Sequence, residues 1–200
     1  MRDRAPQAPH LHHEGGRSSC STPNATSPLV YDDHQDPDTV LRDFAASLIA
    51  QGLRAVGMVQ AGQCADSSLS AVLVHTGEIL LLAKDPEPNA SGCQLDIGRL
   101  QDAGARVADA LESGADLVII NRFGKRERDG KGLASVIERA RDADIPLVIG
   151  VSSPHFADWN KFAGGMSVKL ACDRSALETW WRNVSVRKAL VDRPEAANDT

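Results

Sequence analysis

The segment ADLVIINRFGKRERDGKGL, residues 115–133, constrains the fold more than any other part of the chain. Residues 117–120 form a continuous apolar run, the pattern of a strand buried on both faces of a parallel sheet. The run is predicted to stop at Asn121. A basic loop follows, carrying Arg122, Lys125, Arg126, Arg128 and Lys131 with Gly124, Gly130 and Gly132 between them, and a helical pattern starts near Leu133. Ligands of open α/β sheets bind at the carboxyl ends of the strands, where glycine amides and a helix N-terminus favour anions. The segment therefore points to an oxyanion or phosphate site, with a plain solvated basic loop as the alternative.

Strand and helix patterns alternate on either side of it. Strands are predicted at 29–31, 54–60, 117–120, 147–151 and 168–170, and helices at 39–50, 96–113, 133–143, 156–162 and 176–184. Residues 71–75 and 78–83 read as a β-hairpin, because Gly77 after Thr76 suits a tight reversal. The alternation implies right-handed crossovers and a three-layer α/β fold with a mainly parallel sheet, the hairpin being an insertion at one edge.

A chain of 200 residues with 42% hydrophobic content suits one such domain with a sizeable core. Residues 1–27 are rich in Pro, Ser, His and Arg and read as a disordered extension; 28–186 form the α/β domain, and 187–200 a polar tail. A net charge of -5 argues against general nucleic-acid binding, and one tyrosine with four phenylalanines gives no platform for stacking bases. No apolar run is long enough for a membrane span, and residues 1–27 lack the apolar core of a signal peptide. Cys20, Cys64, Cys93 and Cys172 are widely spaced with no C-x-x-C pair, which predicts reduced thiols and a cytoplasmic location. The oligomeric state is left open.

Four blocks carry a family resemblance over residues 29–181: VYDDHQDPDTVLRDFA, GMVQ (57–60), SGCQLD (91–96), and the pair ADLVIINRFGKRERDGKG and FAGG (162–165). Together they resemble a bacterial family of unknown function often encoded near molybdate transport genes, whose fold is similar to a diverged P-loop nucleoside triphosphatase. The resemblance implies a P-loop-NTPase-like sheet and a link to molybdenum metabolism. It also aligns Gly124, Lys125, Arg126 and Glu127 with a Gly-Lys-x-Glu run that follows the second acidic strand end of small triphosphatases.

The departures from that pattern decide the chemistry. A P-loop needs G-x-x-x-x-G-K-[ST] after the first strand, to surround phosphates with amides and a lysine. Here Asp32, Asp33, His34, Gln35, Asp36, Pro37, Asp38 and Thr39 stand there. Two like charges ~5 Å apart repel by on the order of 1–3 kcal/mol at surface-like screening, so four aspartates facing a triphosphate are prohibitive. Asn121 stands where a magnesium-holding aspartate is expected, a weaker ligand for a hard cation.

Three functions follow as expectations. The leading one is a non-hydrolysing, P-loop-like binding protein for a small oxyanion or phosphorylated ligand, held by Asn121, Arg122, Gly124, Lys125 and Ser152, with a molybdenum oxyanion implied by the resemblance. The second is a metal-dependent nucleotide or phosphoester hydrolase, with Asp32, Asp33 and Asp36 on magnesium and Glu127 as base. The third is an interaction module whose basic loop docks an acidic protein partner. Cys64 and Cys93 are a candidate thiol or soft-metal pair, two unrelated free cysteines being the alternative.

Overall fold

The computed structural model describes residues 25–61, 69–85, 94–165 and 167–191. Alternation of buried strands with amphipathic helices produces β1 (Thr26–Tyr31), α1 (Pro37–Ala50), β2 (Ala55–Ala61), β3 (Ser70–Leu73), β4 (Ile79–Leu81), α2 (Ile97–Glu112) and β5 (Leu117–Phe123). There follow α3 (Lys125–Arg128), α4 (Ala134–Asp142), β6 (Leu147–Ser152), a 3₁₀ turn (Ser153–His155), α5 (Phe156–Phe162), β7 (Leu170–Ala171) and α6 (Arg174–Val191). Among the described residues the strands form one sheet in the order β4-β3-β2-β5-β6-β1-β7. The pairs β1–β7, β1–β6, β5–β6 and β2–β5 are parallel, and the β3–β4 hairpin adds antiparallel at the β2 edge.

The sheet is covered on both faces. Val118 and Ile120 pack into one core with α2, α4 and α5, whereas Leu117 and Ile119 pack into the other with α1 and α6. All four are 0% exposed, as a run with no polar face requires. Gly57 of β2 lies opposite Ile119 with φ +146, and a Cβ there would run into the Ile119 carbonyl. Only glycine lets β2 and β5 approach this closely.

The structure moves several predicted boundaries. β1 begins at Thr26, so residues 26 and 27, expected in the disordered extension, are buried in the sheet against β6. β5 does not stop at Asn121 but runs to Phe123, whose ring packs edge-on against Trp159 at 5.1 Å. That aromatic contact gives the last turn of the strand its own anchor in the core. The last helix continues to Val191, into the segment expected to be a polar tail, and the final strand is Leu170–Ala171 rather than 168–170 because Val168 is exposed. Among the described residues no helix is long and apolar enough to cross a membrane.

Gly57→Ala should lower the free energy of unfolding by about 2–4 kcal/mol, from overpacking plus strained backbone. Urea denaturation measures it; a loss under about 0.5 kcal/mol would mean that the two strands can separate without cost.

Candidate functional site

Parallel order places the carboxyl ends of β1 and β5 on either side of β6, and the candidate site forms across these three ends. A cleft of about 510 Å³ opens there, and Asn121, Arg122, Gly124, Lys125 and Ser152 all line it. The sequence assigned these five residues to one ligand, and the structure brings them to one cleft. Tyr31, Gln60 and His155 line it as well.

The β5 end is irregular. The Asn121–Arg122 peptide bond is cis, and the register with β6 shifts between Asn121 and Phe123. Asn121 is 4% exposed and pairs with Gly150 of β6, where a Cβ would collide with the Asn121 side chain. Its Nδ2 donates to Asp38 Oδ1, and its buried Oδ1 has no hydrogen-bond partner among the described residues. Arg122 is half-exposed; its Nη2 donates to Asp38 Oδ2 at 3.2 Å, and its guanidinium lies 5.7 Å from the Tyr31 ring centroid. Asp38, in the first turn of α1, therefore receives donors on both carboxylate oxygens from two consecutive β5 residues. Burial pushes its carboxyl above the ordinary range, against the pull of the Arg122 guanidinium. Ser153 Oγ donates to the Tyr31 carbonyl at 3.0 Å and ties the end of β6 to the end of β1.

The acidic loop does not assemble as the magnesium reading expects. Asp36 is the N-cap of α1: Oδ1 accepts from Thr39 N–H at 3.1 Å, and this bond holds its carboxyl below the usual range. Asp32 Oδ1 accepts from His34 N–H at 2.9 Å, and Asp33 is exposed at the rim of the cleft. Among the described residues no three His, Cys, Asp or Glu side chains converge to hold an ion. Local backbone donors bind Asp32 and Asp36. Cys64 and Cys93 lie outside the described residues; Cys172 is buried, its thiol pushed up to about 11 mainly by burial.

Glu127 is also spoken for. It is 6% exposed, and its two oxygens accept backbone N–H groups from Gly124 at 3.0 Å and Leu133 at 3.2 Å. The carboxylate clamps the basic loop from both ends. Of the five loop cations, Arg122 is held by Asp38 and Arg128 by Asp158 at 3.0 Å and Asp129 at 3.3 Å. Lys125, Arg126 and Lys131 have no ion pair among the described residues.

A family model described as "Protein of unknown function (DUF2478)" matches residues 27–180. The chain belongs to this family. Molybdenum import ATP-binding protein ModC 2 of Bradyrhizobium diazoefficiens (strain JCM 10833 / BCRC 13528 / IAM 13628 / NBRC 14792 / USDA 110) is 35% identical over 169 residues, which cover 82% of this chain and 19% of that protein. The DUF2478 chain thus spans about a fifth of the length of the curated relative it matches. Two solved structures share its fold: THEP1 from the hyperthermophile Aquifex aeolicus (TM-score 0.56, 11% identity) and a human cancer-related nucleoside triphosphatase (TM-score 0.56, 10% identity). Each match covers 84% of this chain and 99% of the other. The fold is of the P-loop-NTPase type, as the sequence implied, while residues 32–39 of this DUF2478 chain carry no P-loop glycine or lysine.

Glu127→Ala should cost about 1–3 kcal/mol of stability, because the buried Leu133 N–H and the part-buried Gly124 N–H lose their acceptor. Chemical denaturation checks this; a variant as stable as the parent would free Glu127 for the role of base.

Proposed function

We propose that the cleft is a non-hydrolysing binding site for a small tetrahedral oxyanion, with molybdate as the first candidate. The observation that carries this reading is the position of Asp38: a carboxylate of the chain itself rests on the Asn121 amide and the Arg122 guanidinium. It stands in for the anion that this pair of donors is built to hold. A ligand oxyanion takes the same donors when Asp38 withdraws. Arg122 supplies a planar fork, Lys125 a mobile charge from the rim, and Ser152 a hydroxyl donor from the end of β6.

Two further observations favour binding over turnover. The loop after β1 offers a triphosphate carboxylates in place of amides, and Glu127 spends its oxygens on backbone. The 35%-identical relative bears the name of a molybdenum import ATP-binding protein, and this makes molybdate the ligand to try first and an accessory task in molybdenum metabolism the setting.

Isothermal titration with molybdate, tungstate, sulfate and phosphate, with and without magnesium, tests the proposal. Lys125→Ala should weaken oxyanion binding roughly tenfold, the worth of one charge-assisted hydrogen bond. Magnesium-dependent nucleotide hydrolysis by the unmodified chain would overturn the reading.

The pH dependence has a definite sign. Charged Asp38 competes with the ligand, and its carboxyl titrates above the ordinary carboxylate range. Oxyanion affinity should therefore rise as pH falls through the Asp38 titration and level off below it, by up to roughly tenfold per pH unit on the steep part. Asp38→Asn should bind more tightly and lose this dependence. Weaker binding by Asp38→Asn at all pH values would make Asp38 a ligand-holding group instead of a competitor.

A further inference from the structure

A second groove, of about 990 Å³, runs between α2 and the segment joining α3 to α4, and shares Lys125 and Arg126 with the cleft. Its floor is one face of α2, with Ile97, Gln101, Ala105 and Ala108 at helical spacing, and Ile97 is 46% exposed. Its rim is basic: Lys125, Arg126 and Lys131 stand along the opposite wall with no ion pair among the described residues. Asp129, the one acid among the described lining residues, pairs with Arg128 at 3.3 Å, which Asp158 also holds at 3.0 Å. A chain of net charge -5 therefore presents a locally positive, half-apolar groove.

The shape and chemistry narrow the occupant. A small anion would satisfy the rim and leave Ile97 and Ala105 in water. A nucleic acid would find no aromatic side chain in the lining on which to stack a base. An amphipathic helix satisfies both halves, because its apolar stripe covers the α2 face while its carboxylates reach the cations. The small side chains of Ala105 and Ala108 let such a helix come close to α2.

We propose that this groove docks an acidic amphipathic helix of a partner protein, its apolar face on Ile97 and Ala105 and its carboxylates on Lys125, Arg126 and Lys131. The proposal does not rest on the oxyanion reading: Lys125 and Arg126 are shared with the cleft, but the groove floor of Ile97, Gln101, Ala105 and Ala108 and the Lys131 rim lie outside it.

Fluorescence polarisation with the full chain tests it. The probe is a labelled helical peptide with glutamates on one face and leucine and alanine on the other; a scrambled peptide of the same composition is the control. The acidic amphipathic peptide should bind, and should weaken roughly tenfold or more between about 50 and about 300 mM salt, as partly exposed charge pairs do. Lys131→Glu and Ala105→Trp should each weaken it by roughly fivefold or more, the first by repulsion and the second by filling the floor. Tungstate titration of the same two variants should match the parent, so that a failure of the groove and a failure of the cleft are told apart. No binding, equal binding of the scrambled peptide, or indifference to both substitutions would overturn the proposal.

Discussion

Burial of β5 on both faces is the constraint from which the rest of the structure follows. Leu117, Val118, Ile119 and Ile120 have no polar side to turn outward, so each face of the strand needs its own layer of helices. That demand makes the sheet three-layered, sets β2 and β6 beside β5, and requires a glycine at position 57 where β2 comes closest. It also fixes where β5 ends. Phe123 is drawn into the core beside Trp159, so Asn121 and Arg122 are delivered at a set height above the sheet, opposite the first turn of α1.

At that height the molecule departs from the P-loop sequence pattern. The loop after β1 brings a carboxylate to the place where phosphate-binding amides are needed, and β5 answers with an amide and a guanidinium in place of a metal-holding carboxylate. Carboxylate and guanidinium are electrostatically matched across this contact. Under the proposed function this contact exchanges one anion for another and performs no phosphoryl transfer, which needs both the amides and the metal.

Much of this was legible in the sequence, and the misses have physical causes. The apolar run of β5, the hairpin turn at Gly77 and the helix ends at Gly52 and Gly114 are local signals, and they gave the right elements. The extension of β5 was missed, because the apolar run stops at Asn121 and only the fold shows buried Asn121, exposed Arg122 and buried Phe123 alternating as a strand does. The five cleft residues came together as expected because they all sit at strand ends, a position that topology alone determines. The contact of Asp38 with Asn121 and Arg122 was not legible. It joins residues more than eighty positions apart through the interposed β6, and local pattern reads Asp38 only as part of a helix start. The clamp made by Glu127 was not read from the sequence, although its place three residues after Gly124 carries the spacing of a carboxylate that caps a helix N-terminus.

Under the proposed function, Asp38 occupies an oxyanion cradle from which a ligand displaces it. A crystal of the protein soaked in tungstate tests this most directly, because the anomalous signal of tungsten locates the ion independently of the chain. The account predicts one tungsten peak in the cleft, within hydrogen-bond reach of Arg122, Asn121 and Lys125, with the Asp38 carboxylate moved off the guanidinium. Tungstate bound with the Asp38–Arg122 contact intact, or absent from the cleft at saturating concentration, would contradict it.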